Sequence, residues 1–224
     1  MEASLMRNHV VLCGLGKVGL RIARELQLLK EPFVVIEKDR EDEFIVDMQN
    51  EDVPVIFGDA RHRHTLEKAN VAHSQAIILA TDDDLANLDA ALTAREIKPD
   101  IKVVMRLFDD TLARKLTTAF QLTAISTAQV SAPAFAAAAT GRNVLHAFQI
   151  DGQLLHVADV RVERLAGRKL VEVEKEFELS VVLHRNPSHK DFLPQHERPL
   201  EKGDTIVVMS PMERLRKLED ANRN

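Results

Sequence analysis

The chain has 224 residues, 45% of them hydrophobic and 29% charged, which is the composition of a globular protein with one full core and a smaller second unit. Its formal net charge of −5 and its lack of Trp and Tyr argue against a nucleic-acid partner, which would need a basic surface and stacking aromatics. The single cysteine, Cys13, excludes an intrachain disulfide. The sequence shows neither a signal-peptide pattern at its start nor the run of about 18 apolar residues that a membrane-spanning helix needs, so we expect a cytoplasmic protein.

Six strand-like runs alternate with helix-periodic segments over the first part of the chain. The runs are "HVVLC", "PFVVIE", "VPVIF", "QAIILA", "IKVVMRL" and "TAIS". Helices are expected from Lys17, from about Asp42, over "HTLEKANV", over residues 83 to 97, from Asp109 and over the alanine-rich "QVSAPAFAAAATG". Strands that alternate with helices predict a parallel sheet covered on both faces, so the expected fold class is α/β with a Rossmann-like sheet.

The pattern changes after Gly141. Shorter strands follow, with turn signals at residues 151–152, 166–167, 186–187 and 202–204. Such a sequence predicts a second, smaller α+β domain. We set the boundary so that residues 1–143 form the Rossmann-like domain and residues 144–224 the smaller one.

The first strand leads into "GLGKVG", a glycine-rich turn that opens a helix. In this context Gly14 allows the turn, Gly16 lets a pyrophosphate approach the backbone, and Gly19 lets the helix pack on the strand. The helix amino terminus then offers free N–H groups to phosphates. The second strand ends about 20 residues later at Glu37, whose carboxylate can accept hydrogen bonds from both ribose hydroxyls and would repel the 2′-phosphate of NADP.

The third and fourth strands run into "GDAR" and "ATDDD", at the edge of the sheet where ligands bind. Asp59 either bonds an adenine amino group or caps a helix. Thr81 and Asp82 are expected on the phosphate or second-ribose side, with Asp84 as a helix cap. The full candidate cofactor site, flanking positions included, is Gly14, Gly16, Lys17, Val18, Gly19, Glu37, Lys38, Asp59, Ala60, Thr81, Asp82, Asp83, Asn87 and Arg106.

The charges of these residues point to two ligands. Lys17 and Arg106 could reach a terminal phosphate, which favours ATP or ADP. The adjacent carboxylates of Asp82, Asp83 and Asp84 would repel a triphosphate unless a divalent cation intervened, and they suit the cationic nicotinamide of NAD. NAD(H) is therefore favoured, with ATP/ADP as the alternative and a divalent cation as a candidate second ligand.

Five segments, "GLGKVG", "VVIEKD", "GDAR", "ATDDDLANL" and "VVMRLFD", resemble the nucleotide-binding domain of regulator-of-potassium-conductance (RCK) proteins. Two later segments, "LAGRKLVEVEKEFELSVVLHRN" and "LEKGDTIVVM", resemble the smaller carboxyl-terminal domain of that family. The resemblance implies a cytosolic ligand sensor at the inner face of the membrane, which gates a potassium channel or transporter as part of its polypeptide or as a separate subunit. It also implies a homodimer that assembles into a ring, with eight domains favoured, and places the alanine-rich helix between protomers. A plain cap on the sheet edge is the alternative for that helix.

The sequence offers little for catalysis or metal binding. The alternating glutamates 172, 174, 176 and 178 would line one face of a strand and suit calcium, but the resemblance favours a helix there, on which they would spread. We expect no metal site and no catalytic residue. An NAD-dependent oxidoreductase, which would need a proton donor and a substrate pocket, and a regulator of another ion transporter are the alternative functions.

Overall fold

The computed structural model describes residues 3–41, 44–139 and 143–223, and the side chains of residues 137 and 138 are outside what it describes. The chain divides into two compact units, the first ending at Ala128 and the second beginning at Gln129. The division falls inside one helix, and the domain boundary inferred between residues 143 and 144 stays a prediction. Each unit is considered by itself.

Six parallel strands form the sheet of the first unit, in the order β3-β2-β1-β4-β5-β6. This order is that of a dinucleotide-binding Rossmann fold, and it confirms the predicted fold class. The strands are β1 (Val10–Cys13), β2 (Phe33–Glu37), β3 (Val55–Phe57), β4 (Ala76–Leu79), β5 (Lys102–Leu107) and β6 (Thr123–Ser126).

Six helices connect or follow these strands. They are α1 (Lys17–Leu28), α2 (Ile45–Asn50), α3 (Arg63–Lys68), α4 (Asp84–Ile97), α5 (Asp110–Phe120) and α6 (Thr127–Ala139). The start expected for α2, Asp42, lies outside the described residues. Helix α3 is shorter than "HTLEKANV" suggested, because Asn70 takes the left-handed conformation (φ 52°) and starts a short 3-10 turn.

Both faces of the parallel sheet are buried. All four residues of β1 and all five of β2 are buried, as continuous apolar strands between two helical layers require. One core packs around Ile77, Leu79 and Met105, and the other packs around Leu12, Leu15 and Met48. The two layers leave the carboxyl ends of the strands open at one edge of the sheet.

Besides residues 129–139 of α6, the second unit contains an antiparallel sheet in the order β10-β9-β11-β8-β7 and two further helices. Its elements are β7 (Val144–Ile150), β8 (Gln153–Arg161), α7 (Leu170–Phe177), β9 (Ser180–Asn186), β10 (His189–Phe192), β11 (Thr205–Ser210) and α8 (Met212–Arg223). The Asp151–Gly152 turn between β7 and β8 has positive φ at both residues (48° and 80°), as tight hairpins prefer. A smaller α+β unit is therefore present, as predicted.

The alternating glutamates lie on or next to α7, and each has its own partner. Glu172 accepts a hydrogen bond from the Lys169 N–H, and Glu176 pairs with Arg168. The carboxylate of Glu174 accepts the Val181 N–H and contacts the His196 ring, while Glu178 pairs with Arg214. The helix thus separates them, and their side chains stabilise the local structure.

Across the described residues every helix falls short of the length and apolarity that crossing a bilayer requires.

Candidate functional site

The glycine turn between β1 and α1 depends on close contacts at two of its glycines. Gly14 has φ +89°, and a Cβ atom there would lie 3.0 Å from Thr81 Cγ2. A Cβ atom on Gly19 would lie 1.9 Å from the Gly14 carbonyl oxygen, so only glycine lets α1 pack this closely on the turn. Gly16 differs, since a Cβ there would meet nothing within 4 Å. The space in front of Gly16 is open.

Helix α1 begins directly behind this open space. Gly16 is its N-cap residue and, as a glycine, has no side chain to cap it, so the N–H groups of the first turn have no partner within the helix. Lys17 is exposed at the start of the helix. An uncapped helix amino terminus behind an open glycine turn is a binding position for an anionic group such as a phosphate.

Glu37 ends β2 and is 9% exposed. One carboxylate oxygen accepts the Leu15 N–H of the glycine turn at 2.6 Å. The other accepts the N–H groups of Lys38 at 2.6 Å and Asp39 at 2.9 Å. Glu37 therefore ties the glycine turn to the end of the neighbouring strand. A carboxylate accepts about four hydrogen bonds, so some capacity remains for a ribose hydroxyl.

Asp59 follows β3 and carries a strong ion pair. Arg61 donates to it through Nη2 at 2.6 Å and through Nε at 3.0 Å, and Lys38 Nζ lies 3.4 Å from the same carboxylate. The hydrogen-bonded guanidinium of Arg61 holds the pKa of the Asp59 carboxyl well below its usual range. Asp59 also accepts the Arg61 backbone N–H at 3.0 Å, which closes a tight local turn.

The acidic triplet after β4 has divided roles. Asp83, not Asp84 as the sequence suggested, is the N-cap of α4, and its Oδ1 accepts the Leu85 and Ala86 N–H groups at 3.0 and 2.9 Å. Asp84 lies one residue inside the helix, where its carboxylate accepts the Phe108 N–H. The side chain of Asp82 is exposed and makes no hydrogen bond to a residue that the structure describes.

Asn87, one turn into α4, links the ends of β4 and β5. Its buried amide donates to the Thr81 carbonyl and the Arg106 carbonyl, both at 3.1 Å, and accepts the Thr81 hydroxyl at 2.6 Å. Arg106 Nη1 lies 3.4 Å from the Thr81 carbonyl oxygen. These contacts hold the carboxyl ends of β4 and β5 together below the start of α4.

A cleft of about 570 Å³ opens at this edge of the first unit. It brings together nine of the fourteen residues predicted from the sequence: Gly14, Glu37, Lys38, Asp59, Ala60, Thr81, Asp82, Asp83 and Asn87. The other five do not line it: Gly16, Lys17, Val18 and Gly19 lie at the start of α1, and Arg106 lies on β5. The assignment of all fourteen residues to a cofactor site stays a prediction.

Sequence reasoning missed eight lining residues: Cys13, Ile36, Asp39, Gly58, Arg61, Leu79, Ala86 and Ala90. Most are neighbours of predicted positions at strand ends, and the helical spacing of Ala86 and Ala90 could have placed both on the inner face of α4. Burial, followed by the nearby charge of Glu37, raises the pKa of the Cys13 thiol far above its usual range. Cys13 is therefore a small apolar wall residue.

Charged side chains line much of the cleft. Five carboxylates and two cationic side chains line it, and its lining includes no histidine. Within the described ranges no group of three or more His, Cys, Asp or Glu side chains could hold a metal ion. The fold and this cleft together define a Rossmann-type domain with an open glycine turn and a cleft lined by charged side chains at the strand ends.

The family model of the TrkA-N domain matches residues 10–127, which is more than half of the chain, so the chain belongs to the TrkA-N domain family. Potassium channel protein 1 of Methanocaldococcus jannaschii is 31% identical over 104 residues, 45% of this chain and 30% of that protein. The Trk system potassium uptake protein TrkA homolog of Pyrococcus horikoshii is 31% identical over 106 residues, 45% of this chain and 44% of that protein. The chain spans less than half the length of these curated relatives.

Solved structures share the fold at lower identity. The match to the GsuK channel covers 98% of this chain and 40% of the channel chain, with a TM-score of 0.68 and 20% identity. The match to the GsuK channel bound to NAD has the same coverage and identity and a TM-score of 0.62. The Kef carboxyl-terminal domain of Shewanella denitrificans in AMP-bound form covers 60% of this chain and 80% of its own, with a TM-score of 0.52 and 22% identity. The TrkA-N match confirms the resemblance inferred from the sequence, and the solved structures confirm the fold.

Proposed function

We propose that this chain is a ligand-sensing regulatory domain or subunit that binds an adenine nucleotide and gates a potassium channel or transporter. The observation that carries the proposal is the cleft at the strand ends of the TrkA-N fold, with the uncapped start of α1 beside it. The names of the relatives supply the transported ion. The chain would act at the inner face of the membrane through its partner, which is either another part of its polypeptide or a separate subunit.

NAD(H) is the favoured ligand and ATP/ADP the alternative. Because carboxylates outnumber cations along the cleft by five to two, a ligand of low negative charge fits it better than a triphosphate. A divalent cation between Asp82 and a polyphosphate would offset this electrostatic repulsion. Titration calorimetry with NAD, NADH, ADP and ATP, each with and without Mg²⁺, tests the proposal. Absence of binding by every one of them to folded protein would refute it.

We further propose that the ligand acts through an assembly of dimers in a ring, with eight domains favoured. Helix α6 is mostly apolar, carries Pro133 and has no buried side chain among those described; Val130 is 56% exposed and Phe135 75% exposed. An apolar helix this exposed is best explained by a second chain packed against it. This helix contains the alanine-rich stretch that the resemblance placed between protomers, and the side chain of its Ala138 lies outside the described residues.

The physical requirement of gating is a difference in ligand affinity between two arrangements of the assembly. Only that difference can shift the arrangement, and couplings of this kind are on the order of 1–3 kcal/mol. The decisive measurement combines light scattering during nucleotide titration with flux through the reconstituted membrane partner. A flux that no adenine nucleotide alters would refute the regulatory proposal. We propose no enzymatic activity, and hydride transfer from NADH to a small carbonyl substrate would contradict this.

A further inference from the structure

The Asp59 carboxylate, which would meet an adenine base, is already fully engaged. Its Oδ1 accepts the Arg61 backbone N–H and Arg61 Nε, both at 3.0 Å. Its Oδ2 accepts Arg61 Nη2 at 2.6 Å and lies 3.4 Å from Lys38 Nζ. A carboxylate has about four lone-pair positions, so these contacts leave none for a further donor.

The strand register explains why this carboxylate would face the base. Glu37, the candidate ribose contact, is paired with Phe57 on the adjacent strand β3, and Asp59 follows two residues later. A base attached to a ribose at Glu37 would extend over the end of β3 towards Asp59 and Ala60, which both line the cleft. Adenine presents an amino donor at its 6-position, whereas hypoxanthine and guanine present a carbonyl acceptor. Facing the 6-position, a free carboxylate would accept from the amino group of adenine and repel the carbonyl oxygen of a 6-oxo base.

Arg61 changes this preference. Its side chain is 41% exposed and lines the cleft, and its Nη1 has no hydrogen-bond partner among the described residues. The guanidinium thus occupies the Asp59 carboxylate, which would otherwise accept from adenine, and its Nη1 can donate to the carbonyl oxygen of a 6-oxo base. Neither effect needs the backbone of the loop to move.

We infer that Arg61 sets the base selectivity of this cleft, allowing 6-oxo purine nucleotides to bind nearly as well as adenine nucleotides. The inference rests on the proposed function, because it assumes that a nucleotide binds with its ribose at Glu37. The cleft would then bind a wider class of ligands than the proposed function alone suggests, and this class includes hypoxanthine dinucleotides. Lys38 contributes less, because it lies further from Asp59 and its side chain is 72% exposed.

The test compares the dissociation constants of NAD and nicotinamide hypoxanthine dinucleotide for the wild type and for Arg61→Ala. The variant should fold, because Asp59 still accepts the residue 61 N–H and the Thr93 hydroxyl still donates to the residue 61 carbonyl oxygen at 3.3 Å. We expect the two wild-type constants to agree within about threefold, and the variant to prefer NAD by about tenfold or more, because it regains an accepting carboxylate. Arg63→Ala is the matched control, since Arg63 pairs with Glu67 and does not line the cleft.

The outcomes separate the inference from the proposed function. If both dinucleotides bind the wild type but their ratio is the same in Arg61→Ala, the inference is wrong and the proposed function stands. A wild type that already prefers NAD tenfold would equally overturn it. If neither dinucleotide, nor ADP or ATP, binds the folded wild type, the proposed function fails and the inference fails with it. A matching, smaller shift in Lys38→Ala would support the same role for the ion pair.

Discussion

Gly16 and Gly19 lie three residues apart, and we expect their substitutions to have opposite consequences. A Cβ atom at Gly16 meets nothing within 4 Å, so Gly16→Val should leave the fold intact and fill the space in front of α1. If the pyrophosphate lies there, at least two charge-assisted hydrogen bonds to N–H groups are lost. At about 1.5 kcal/mol each, this weakens nucleotide binding by about 3 kcal/mol, or roughly a hundredfold.

Gly19→Ala should act on stability instead. Its Cβ would lie 1.9 Å from the Gly14 carbonyl oxygen, and because that oxygen belongs to the backbone, relief requires α1 to shift away from β1. Overpacking of this kind costs about 3 kcal/mol, well above the roughly 1 kcal/mol that alanine gains over glycine inside a helix.

Urea unfolding and calorimetry on the same samples distinguish these two effects. Gly16→Ala provides a graded control, with a smaller loss of affinity and unchanged stability. Unchanged nucleotide affinity in Gly16→Val would show that no phosphate binds at the turn. Wild-type stability in Gly19→Ala would show that the helix does not approach the turn as closely as the structure indicates.

Four further outcomes follow from the same contacts. NADP should bind about tenfold or more weakly than NAD, because its 2′-phosphate would face Glu37; equal affinities in calorimetry would exclude Glu37 from the ribose. Asn87→Ala should lower the free energy of unfolding by about 3 kcal/mol, since two carbonyls lose their buried donor, whereas the exposed Asn50→Ala should change it little. Burial lowers the pKa of His9 below 6.5, so the unfolded chain binds its proton more readily; stability should fall as pH drops through about 6.5, and His9→Gln should show less of this fall. Phe135→Asp should reduce association in light scattering, while Leu28→Asp, at a similar exposure of 76%, should not; equal effects would place the contact elsewhere.

The sequence by itself determined the elements of the first unit. Strand-like runs of four to seven residues between helix-periodic segments identified all six strands, because periodicity is a local property of the chain. The glycine turn and the acidic end of β2 were also readable, since each depends on residues close in sequence. Cap positions were less certain: any of three adjacent aspartates could begin α4, and only the backbone conformation selected Asp83.

The tertiary structure decided which side chains meet. The order β3-β2-β1 places the end of β2 beside the glycine turn, so Glu37 accepts the Leu15 N–H, a contact that spacing could not indicate. The same order places Lys38 near Asp59, and the turn after β3 folds Arg61 back onto that carboxylate. Sequence patterns identify which residues end the strands, but the partners of a carboxylate depend on neighbours that the pattern does not specify. For this reason the sequence predicted a nucleotide cleft and missed Arg61, the residue to which we assign its base selectivity.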